Sequence, residues 1–340
     1  GLARHWCWIK VGMYKLASGL LDSVINPNLR FMKIAFLYQG PHKCHEKWAK
    51  AIGARFVHFT EELKEGFEII LVEGGLPLWK AVRYKQKHPK TKLIYLNSDE
   101  TFFMWKQELL RGKRLTYFLP RLTYFVPRLY GLRKVDGIIS VSNLFRLSVR
   151  IPEIVVHPFI EEKYHKPLYN PQNRSIITVG YYHPKQGIDI LVKAFQNVAE
   201  DERFKDLRLY LIGQGYPRVY ERDSITLTGF ITDLEEIYRI AALYVHAGRF
   251  QAFPIATVEA MHYGIPALVT NKTGTRELLD SEFVSTTNPE DLASKIRRFF
   301  LLKEDEKRKI SEKCFKTSLD FLAKQKIEEF VEAFRELISK

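Results

Sequence analysis

The sequence predicts an α/β protein built from two doubly wound domains, each a parallel sheet covered by helices. Three observations carry that reading. Short apolar runs that end in glycine or a polar turn alternate with longer amphipathic stretches, and strand–helix alternation with short connections demands a parallel sheet. At 340 residues the chain is long for one core and suits two. Residues 157–174, with Pro158, Pro167 and Pro171 among tyrosines and charges, read as the connection between them.

Composition excludes several classes. The hydrophobic share is 46%, ordinary for a soluble protein, and no run of 18 apolar residues occurs, so no transmembrane helix is predicted. The three cysteines, Cys7, Cys44 and Cys314, stand far apart without Cys-x-x-Cys spacing. That argues against a zinc site or a disulfide framework and for a reducing compartment. The net charge of +14 is unevenly spread. Lys106, Arg111, Lys113, Arg114, Arg121, Arg128, Arg133 and Lys134 face a single Glu108 in their stretch. Such a face suits anionic lipid headgroups, nucleic acid or a diphosphate substrate, and composition does not choose among them.

Residues 1–31 precede the first strand. Trp6, Trp8, Ile9, Met13, Leu16, Leu20 and Leu21 share a loose helical face beside Arg4, Lys10 and Lys15, which reads either as an interfacial anchor or as an extension packed on the domain. The absence of an Ala-x-Ala site argues against a cleaved signal peptide. The first domain, 32–158, opens with the buried strand KIAFLY, ended by Gly40 and followed by Pro41, His42 and His45; a helix covers the stretch around Trp48 to Ile52. Strands at Phe67–Val72 and Leu93–Leu96 flank a helix near Trp79–Lys87. The second of these strands runs into Ser98 and Asp99, and Asp99 is either a ligand-facing carboxylate at the strand's end or a helix cap.

A seven-residue repeat follows, LTYFLPR at 115–121 and LTYFVPR at 122–128. Its aromatics beside basic residues suit a membrane surface, or else a lid or dimer face, and Pro120 and Pro127 forbid one smooth helix. Gly137–Val141 is a strand, after which Ser142 and Asn143 are expected to cap a helix. Residues 159–173 are the linker and 174–322 the second domain. It opens with the strand SIITV, a glycine turn and an amphipathic helix. Strands at Leu207–Ile212 and Ile225–Leu227 end in Gly213 and Gly229; Leu234–Leu243 is expected to be helical and Tyr244–His246 a strand. The tail beyond Pro289 is helical, and in its last helix, 323–340, Ile327, Phe330, Val331, Phe334 and Leu337 form one stripe.

The densest signal is HAGRFQAFPIATVEAMHYGIPALVTNKTGTREL, His246 to Leu278. Pro254 presets a first helical turn, Gly264 stops the helix, Pro266 prevents its resumption, and Ala267–Thr270 is a buried strand. A helix entered through such a loop offers unpaired N–H groups and a positive dipole end, which suit a phosphate. Glu259, on its second turn, can accept bonds from sugar hydroxyls.

These residues resemble the nucleotide-binding signature of the family 4 retaining glycosyltransferases of GT-B fold, in which two glutamates eight residues apart flank a Gly-Phe-Gly or Gly-Phe-Pro turn. Here Gln251 stands at the first glutamate, Phe253 and Pro254 form the turn, Glu259 is the second glutamate, and Thr273, Gly274 and Glu277 match the later small-small-x-x-Glu stretch. The similarity runs over about 170 residues. It implies two Rossmann-like domains facing each other across a cleft, the last helix crossing back to the first domain, and transfer of a sugar from a UDP- or GDP-linked donor to an acceptor hydroxyl with retention, without a metal or a resident cofactor. It further implies donor contacts at Gly40, Gly180, Tyr181, Lys185, Gln186, Gly213, Gly229, Phe230, Pro254 and Ile255, with Glu259 on the ribose, Gln251 on the sugar, and Glu277 and the Gly274 amide near the sugar or phosphate.

Four positions depart from the family. Relatives carry glutamate at 251, cations where Tyr181 and Gln186 stand, and a histidine near Ser98. These put donor identity and catalytic efficiency in question and leave the fold untouched. The expected acceptor is a glycan or a lipid-linked glycan, and the expected location the cytoplasm, peripheral on the inner face of the membrane. A decayed binding or scaffold protein on the same frame is the main alternative. A nucleic-acid-binding or DNA-modifying transferase, suggested only by charge, lacks Arg-Gly repeats, zinc knuckles or a recognition-helix motif to support it.

Overall fold

The computed structural model describes residues 29, 31–40, 42–63, 66–98, 128–147, 149–162 and 167–340. The first unit comprises β1 (Ile34–Tyr38), α1 (Lys43–Ala51), β2 (Arg55–His58), β3 (Ile69–Glu73), α2 (Gly75–Lys87), β4 (Lys92–Asn97), β5 (Gly137–Ser140) and β6 (Glu153–Val155). Its six strands lie in the order β2-β1-β3-β4-β5-β6, each neighbouring pair parallel. Side chains of successive residues go to opposite faces, so both faces need an apolar residue at every step. Ile34, Phe36, Ile69, Leu71, Ile94 and Leu96 enter one core, while Ala35, Leu37, Ile70, Val72, Leu93 and Tyr95 enter the other, under α2.

Two strands here go beyond the sequence reading. In β2, RFVH, only Val57 is buried, so it carries almost no apolar signal. The edge strand β6 is three residues long and half-buried throughout. The helix expected after Ser142 is only a 3₁₀ turn, Asn143–Phe145, and Ser142 does not cap it. The Ser142 hydroxyl instead donates to the Ala252 carbonyl of the second unit at 2.8 Å.

The second unit comprises β7 (Ser175–Val179), α3 (Ile188–Ala199), β8 (Arg208–Ile212), β9 (Ile225–Gly229), α4 (Glu235–Ile240), β10 (Ala241–His246), α5 (Ile255–His262), β11 (Ala267–Thr270), β12 (Val284–Ser285), α6 (Pro289–Leu301) and α7 (Glu304–Leu319). Its order is β12-β11-β10-β7-β8-β9, again all parallel. Helices α3 and α6 bury their apolar stripes on one face, against Ile176, Leu243, Val245 and Leu268. On the other face α5 packs with Ile177 and Tyr244, and Cys314 of α7 joins the same cluster. The boundary expected at Leu243 is corrected to Ile240. Ala241 to Leu243 are fully buried and pair with β7, so the apolar run that resembles the end of a helix is the start of a strand.

The chain crosses between the units twice, side by side: Ile160 forms a parallel bridge with Leu322, its N–H donating to Phe321 O at 2.9 Å. A final helix, α8 (Ala323–Ser339), lies in the core of the first unit, where Ile327, Phe330, Val331, Phe334 and Leu337 are all buried. Phe330 stacks on Trp48 of α1 with centroids 4.9 Å apart and planes within 2°. At the other end of the helix, a Cβ on Gly137 of β5 would stand 3.0 Å from Leu337, so glycine lets the helix close on the sheet. Among the described residues no helix is long and apolar enough to cross a membrane.

Candidate active site

The carboxyl ends of both sheets turn toward each other, the place where ligands bind in open parallel sheets. Contacts across this cleft come from the segments after β5 and β6 in the first unit and after β10 and β11 in the second. Phe145 and Phe250 meet with ring centroids 4.8 Å apart, and Phe253 lies between His157 (5.0 Å) and Phe321 (5.8 Å). Phe253 is thus buried as part of the hinge between the units, in the same core cluster as β1 and α8.

On the second unit the glycine turns are built by close backbone approach. Gly180, at φ +154°, donates its N–H to Ile212 O, and Gly213, at φ +134°, donates to Gly229 O. A Cβ on Gly213 would overlap the Gly180 carbonyl, so the ends of β7, β8 and β9 meet only with glycine there. Gln186 is buried with its amide against Gly180, whereas Tyr181 and Phe230 are exposed at the rim of the same turns. Lys185 follows in a 3₁₀ turn opened by His183, whose ring accepts from the Lys185 N–H. Gly187, at φ +64°, then starts α3 under the Ala247 carbonyl.

The loop from β10 into α5 carries the densest candidates. Pro254 sits at the N-cap of α5 in extended conformation, and no side chain caps that helix. Its first N–H groups and dipole therefore point to the cleft without a protein anion in the cap. Ile255 and Glu259 are half-buried on its first two turns. The Glu259 charge raises the pKa of Tyr238 and Tyr244 in its own unit and of Cys44 on α1, after burial as the main cause in each case. A group felt at Cys44 lies on the side of the second unit that faces the first.

Gln251 is fixed through its backbone, its N–H donating to Lys272 O and its carbonyl accepting from Gly274 N–H at 2.9 Å. The buried side chain leaves Oε1 without a partner, and the neighbouring His246 leaves Nε2 without one. Burial holds the His246 imidazole down at about 4, against an opposing pull from the Gln251 side chain. The expected ligand contact of the Gly274 amide is not free to form, because that N–H is already spent on Gln251. What Gly274 supplies is space: a Cβ would overlap Ala252 O and stand 2.7 Å from Ser142 Oγ. Glu277 likewise bridges the units, with Oε1 on His157 Nε2 at 2.6 Å and Oε2 on Asn143 Nδ2 at 2.9 Å.

The first unit contributes a cluster that the sequence does not reveal as one. His45 Nδ1 meets Glu73 Oε1 at 2.7 Å, and Ser98 Oγ donates to the same oxygen at 2.6 Å. Burial would raise the Glu73 pKa, but the charge and hydrogen bond of His45 and the Ser98 hydroxyl together hold it below the usual range. Glu73 Oε2 is buried without a partner. His42 caps α1 by accepting the Cys44 N–H, and its ring lies 5.7 Å from that of His45. Gly40 ends β1 nearby, with open space where a side chain would be. Asp99 lies outside the described residues, as do residues 1–28 and the basic stretch from Lys106 to Arg121.

Arg128 does not belong to the basic face expected over residues 106–134. It is 2% exposed, its guanidinium donating to Asn97 Oδ1 at 3.0 Å and Tyr95 OH at 3.2 Å. It is a buried strut under β4 and faces no surface.

Residues 173–301 match the family described as glycosyl transferases group 1. Mannosylfructose-phosphate synthase of Agrobacterium fabrum is 28% identical over 116 residues, which are 29% of this chain and 26% of that protein. The chain spans between 26% and 34% of the length of the curated relatives it matches. Sucrose-phosphate synthase of Thermosynechococcus elongatus superposes with a TM-score of 0.72 at 14% identity, covering 91% of this chain and 99% of that one. Anabaena HepE in complex with UDP and glucose gives a TM-score of 0.67 at 15% identity over 90% of this chain and 100% of that one. The fold is GT-B, and the second unit carries the group 1 glycosyltransferase match.

Proposed function

We propose that the chain is a retaining glycosyltransferase that moves a hexose from a UDP- or GDP-linked donor to an acceptor hydroxyl. The observation that carries the proposal is the uncapped N-terminus of α5 at the cleft, with Glu259 one turn on, within the unit that matches the group 1 family. In this reading the donor diphosphate lies over the Gly180–Gly213 turns and the α5 N-terminus, where backbone N–H groups and Lys185 stabilise the charge that develops on the leaving group. Glu259 accepts from the ribose hydroxyls. Gln251 faces the sugar and offers it the side-chain amide.

Tyr181 and Phe230, exposed at the rim, stand where a nucleobase would pass. Acceptor binding falls to the first unit, where Glu73 presents one carboxylate oxygen that His45 and Ser98 leave unused. The acceptor attacks on the face that the diphosphate leaves, and the diphosphate takes its proton, so no strong protein base is required. The acceptor class is a glycan or lipid-linked glycan, met at the inner face of a membrane through the basic 106–121 stretch.

A binding protein on the same frame is the second reading, favoured by Gln251 and Tyr181 where the resembled family has glutamate and a cation. A panel of UDP-, GDP- and other nucleotide-linked sugars, followed by thermal stabilisation and donor hydrolysis, separates the two. Stabilisation with hydrolysis of one donor supports the transferase. Stabilisation without hydrolysis or transfer, across the panel and with glycan acceptors added, supports the binding protein, and no stabilisation by any nucleotide refutes both.

A further inference from the structure

A cavity of about 290 Å³ opens on the second unit between α3 and α6, lined by Asp189, Lys193, Arg249, Lys272, Thr287 and Pro289 together with Ile190. It lies on the α3/α6 face of the sheet, whereas α5 packs on the opposite face, and Arg249 reaches it from the loop that leads into α5. None of the residues assigned above to the donor lines it. Three cations converge there on one acid. Arg249 is held by Asp189, NH1 to Oδ1 at 2.7 Å, and the guanidinium keeps that carboxyl below its usual range against the effect of burial. Of the two acids in the first turn of α6, Asp291 is spent on Thr286 N–H and Oγ1 at 2.6 and 2.8 Å, and Glu290 does not line the cavity. Lys193 and Lys272 therefore bring charge that Asp189, already paired, does not offset.

We infer that this cavity is a second anion site, distinct from the donor cleft, for a phosphate group carried by a small metabolite or free in solution. Two lysine ammonium groups, the Arg249 guanidinium and the Thr287 hydroxyl supply donors suited to phosphate oxygens. The starts of α3 and α6 at the same opening add positive potential. The volume exceeds that of a phosphate ion alone, leaving room for part of a small ester. Occupancy would also reach the donor side. Arg249 donates from its backbone to Lys185 O at 2.7 Å and from NH1 to Pro184 O at 2.8 Å, so an anion that pulls its guanidinium from Asp189 pulls on the turn that carries Lys185.

The test uses the full chain and two probes, inorganic phosphate and glucose 6-phosphate, titrated by calorimetry at fixed ionic strength. Wild type, Glu259→Ala and the double variant Lys193→Ser/Lys272→Ser are compared. Each lysine lost removes charge-assisted bonds, so the affinity of either probe should fall at least tenfold in the double variant. It should be unchanged in Glu259→Ala, and saturating UDP should not displace the probe. Tighter binding of the ester assigns the site to a metabolite, and equal binding assigns it to the phosphate group itself. Binding that survives the double variant, or that UDP displaces, or no binding of either probe at millimolar concentration, overturns the inference. Circular dichroism and the melting temperature of the double variant, whose changed side chains lie at a cavity rim, check that it is folded.

Discussion

Gly274→Ala tests how the two units are held at the cleft. The added methyl would overlap the Ala252 carbonyl oxygen, 2.8 Å from its carbon and 2.7 Å from Ser142 Oγ. Carbon contacts prefer about 3.5 Å or more, so the 251–254 loop or the Ser142 turn must give way by roughly 1 Å. Ser142 Oγ then loses its bond to Ala252 O, and Gly274 N–H its bond to Gln251 O. Overpacking costs about 1–3 kcal/mol and a weakened buried hydrogen bond about 1 kcal/mol more, offset by about 0.4–1 kcal/mol from the stiffer unfolded chain. A net loss of about 2 kcal/mol is expected in urea unfolding, with the slope unchanged. Because the displaced loop leads into Pro254 and α5, nucleotide affinity should fall with it. Gly40→Ala is the control: nothing lies within 4 Å of its added Cβ, so its stability should stay within about 0.5 kcal/mol of wild type. If Gly274→Ala is as stable as Gly40→Ala and binds nucleotide like wild type, the close approach of the two loops is not what shapes the site.

Two further predictions follow from buried groups. The unfolded chain protonates His246 near 6.5, while burial holds the folded pKa at about 4, so stability is lost as pH falls from 6.5 toward 4. This one group accounts for about 3 kcal/mol of that loss, and His246→Gln should flatten the slope by a comparable amount; an unchanged slope in pH-dependent urea unfolding would contradict it. Arg128→Ala should cost about 1.5–3 kcal/mol because Asn97 Oδ1 is left buried without its charged donor, with no effect on vesicle binding. Arg114→Ser/Arg121→Ser should instead keep stability and weaken binding to anionic vesicles by about 1 kcal/mol per cation, an effect that salt diminishes; equal binding to neutral vesicles would rule out a membrane role for these residues.

The fold was legible wherever short apolar runs are closed by a glycine or a polar turn. SIITVG and ALVT read as buried strands because both faces of a parallel sheet are covered, and Gly264 ends α5 at φ +78° as its position suggests. Legibility failed where pairing supplies the strand. RFVH of β2 and EIV of β6 form because β1 and β5 offer free edges, a tertiary cause that local pattern does not encode. The Leu234–Leu243 run misled because α4 passes into β10 without an intervening breaker, so periodicity alone could not divide it.

The site split the same way. The stretch from Gln251 to Glu259 announced itself by spacing along one loop and helix. His45, Glu73 and Ser98 meet only because β3 and β4 are neighbours and α1 starts beside them, and 28 and 25 residues separate the partners. Nor did spacing show that Gly274 and Glu277 serve the contact between the units, since the partners Ser142, Asn143 and His157 come from the other domain.

The central claim is that a nucleotide is held at the α5 loop with Glu259 as its ribose acceptor. The most direct measurement is the affinity of UDP and GDP for wild type and Glu259→Ala by calorimetry. A carboxylate bonded to ribose hydroxyls is worth about 1.5–3 kcal/mol, so the account predicts that the preferred nucleotide binds the variant at least tenfold more weakly while the variant keeps its melting temperature without ligand. Equal affinity in the two proteins, or no binding of either nucleotide to wild type, would contradict it.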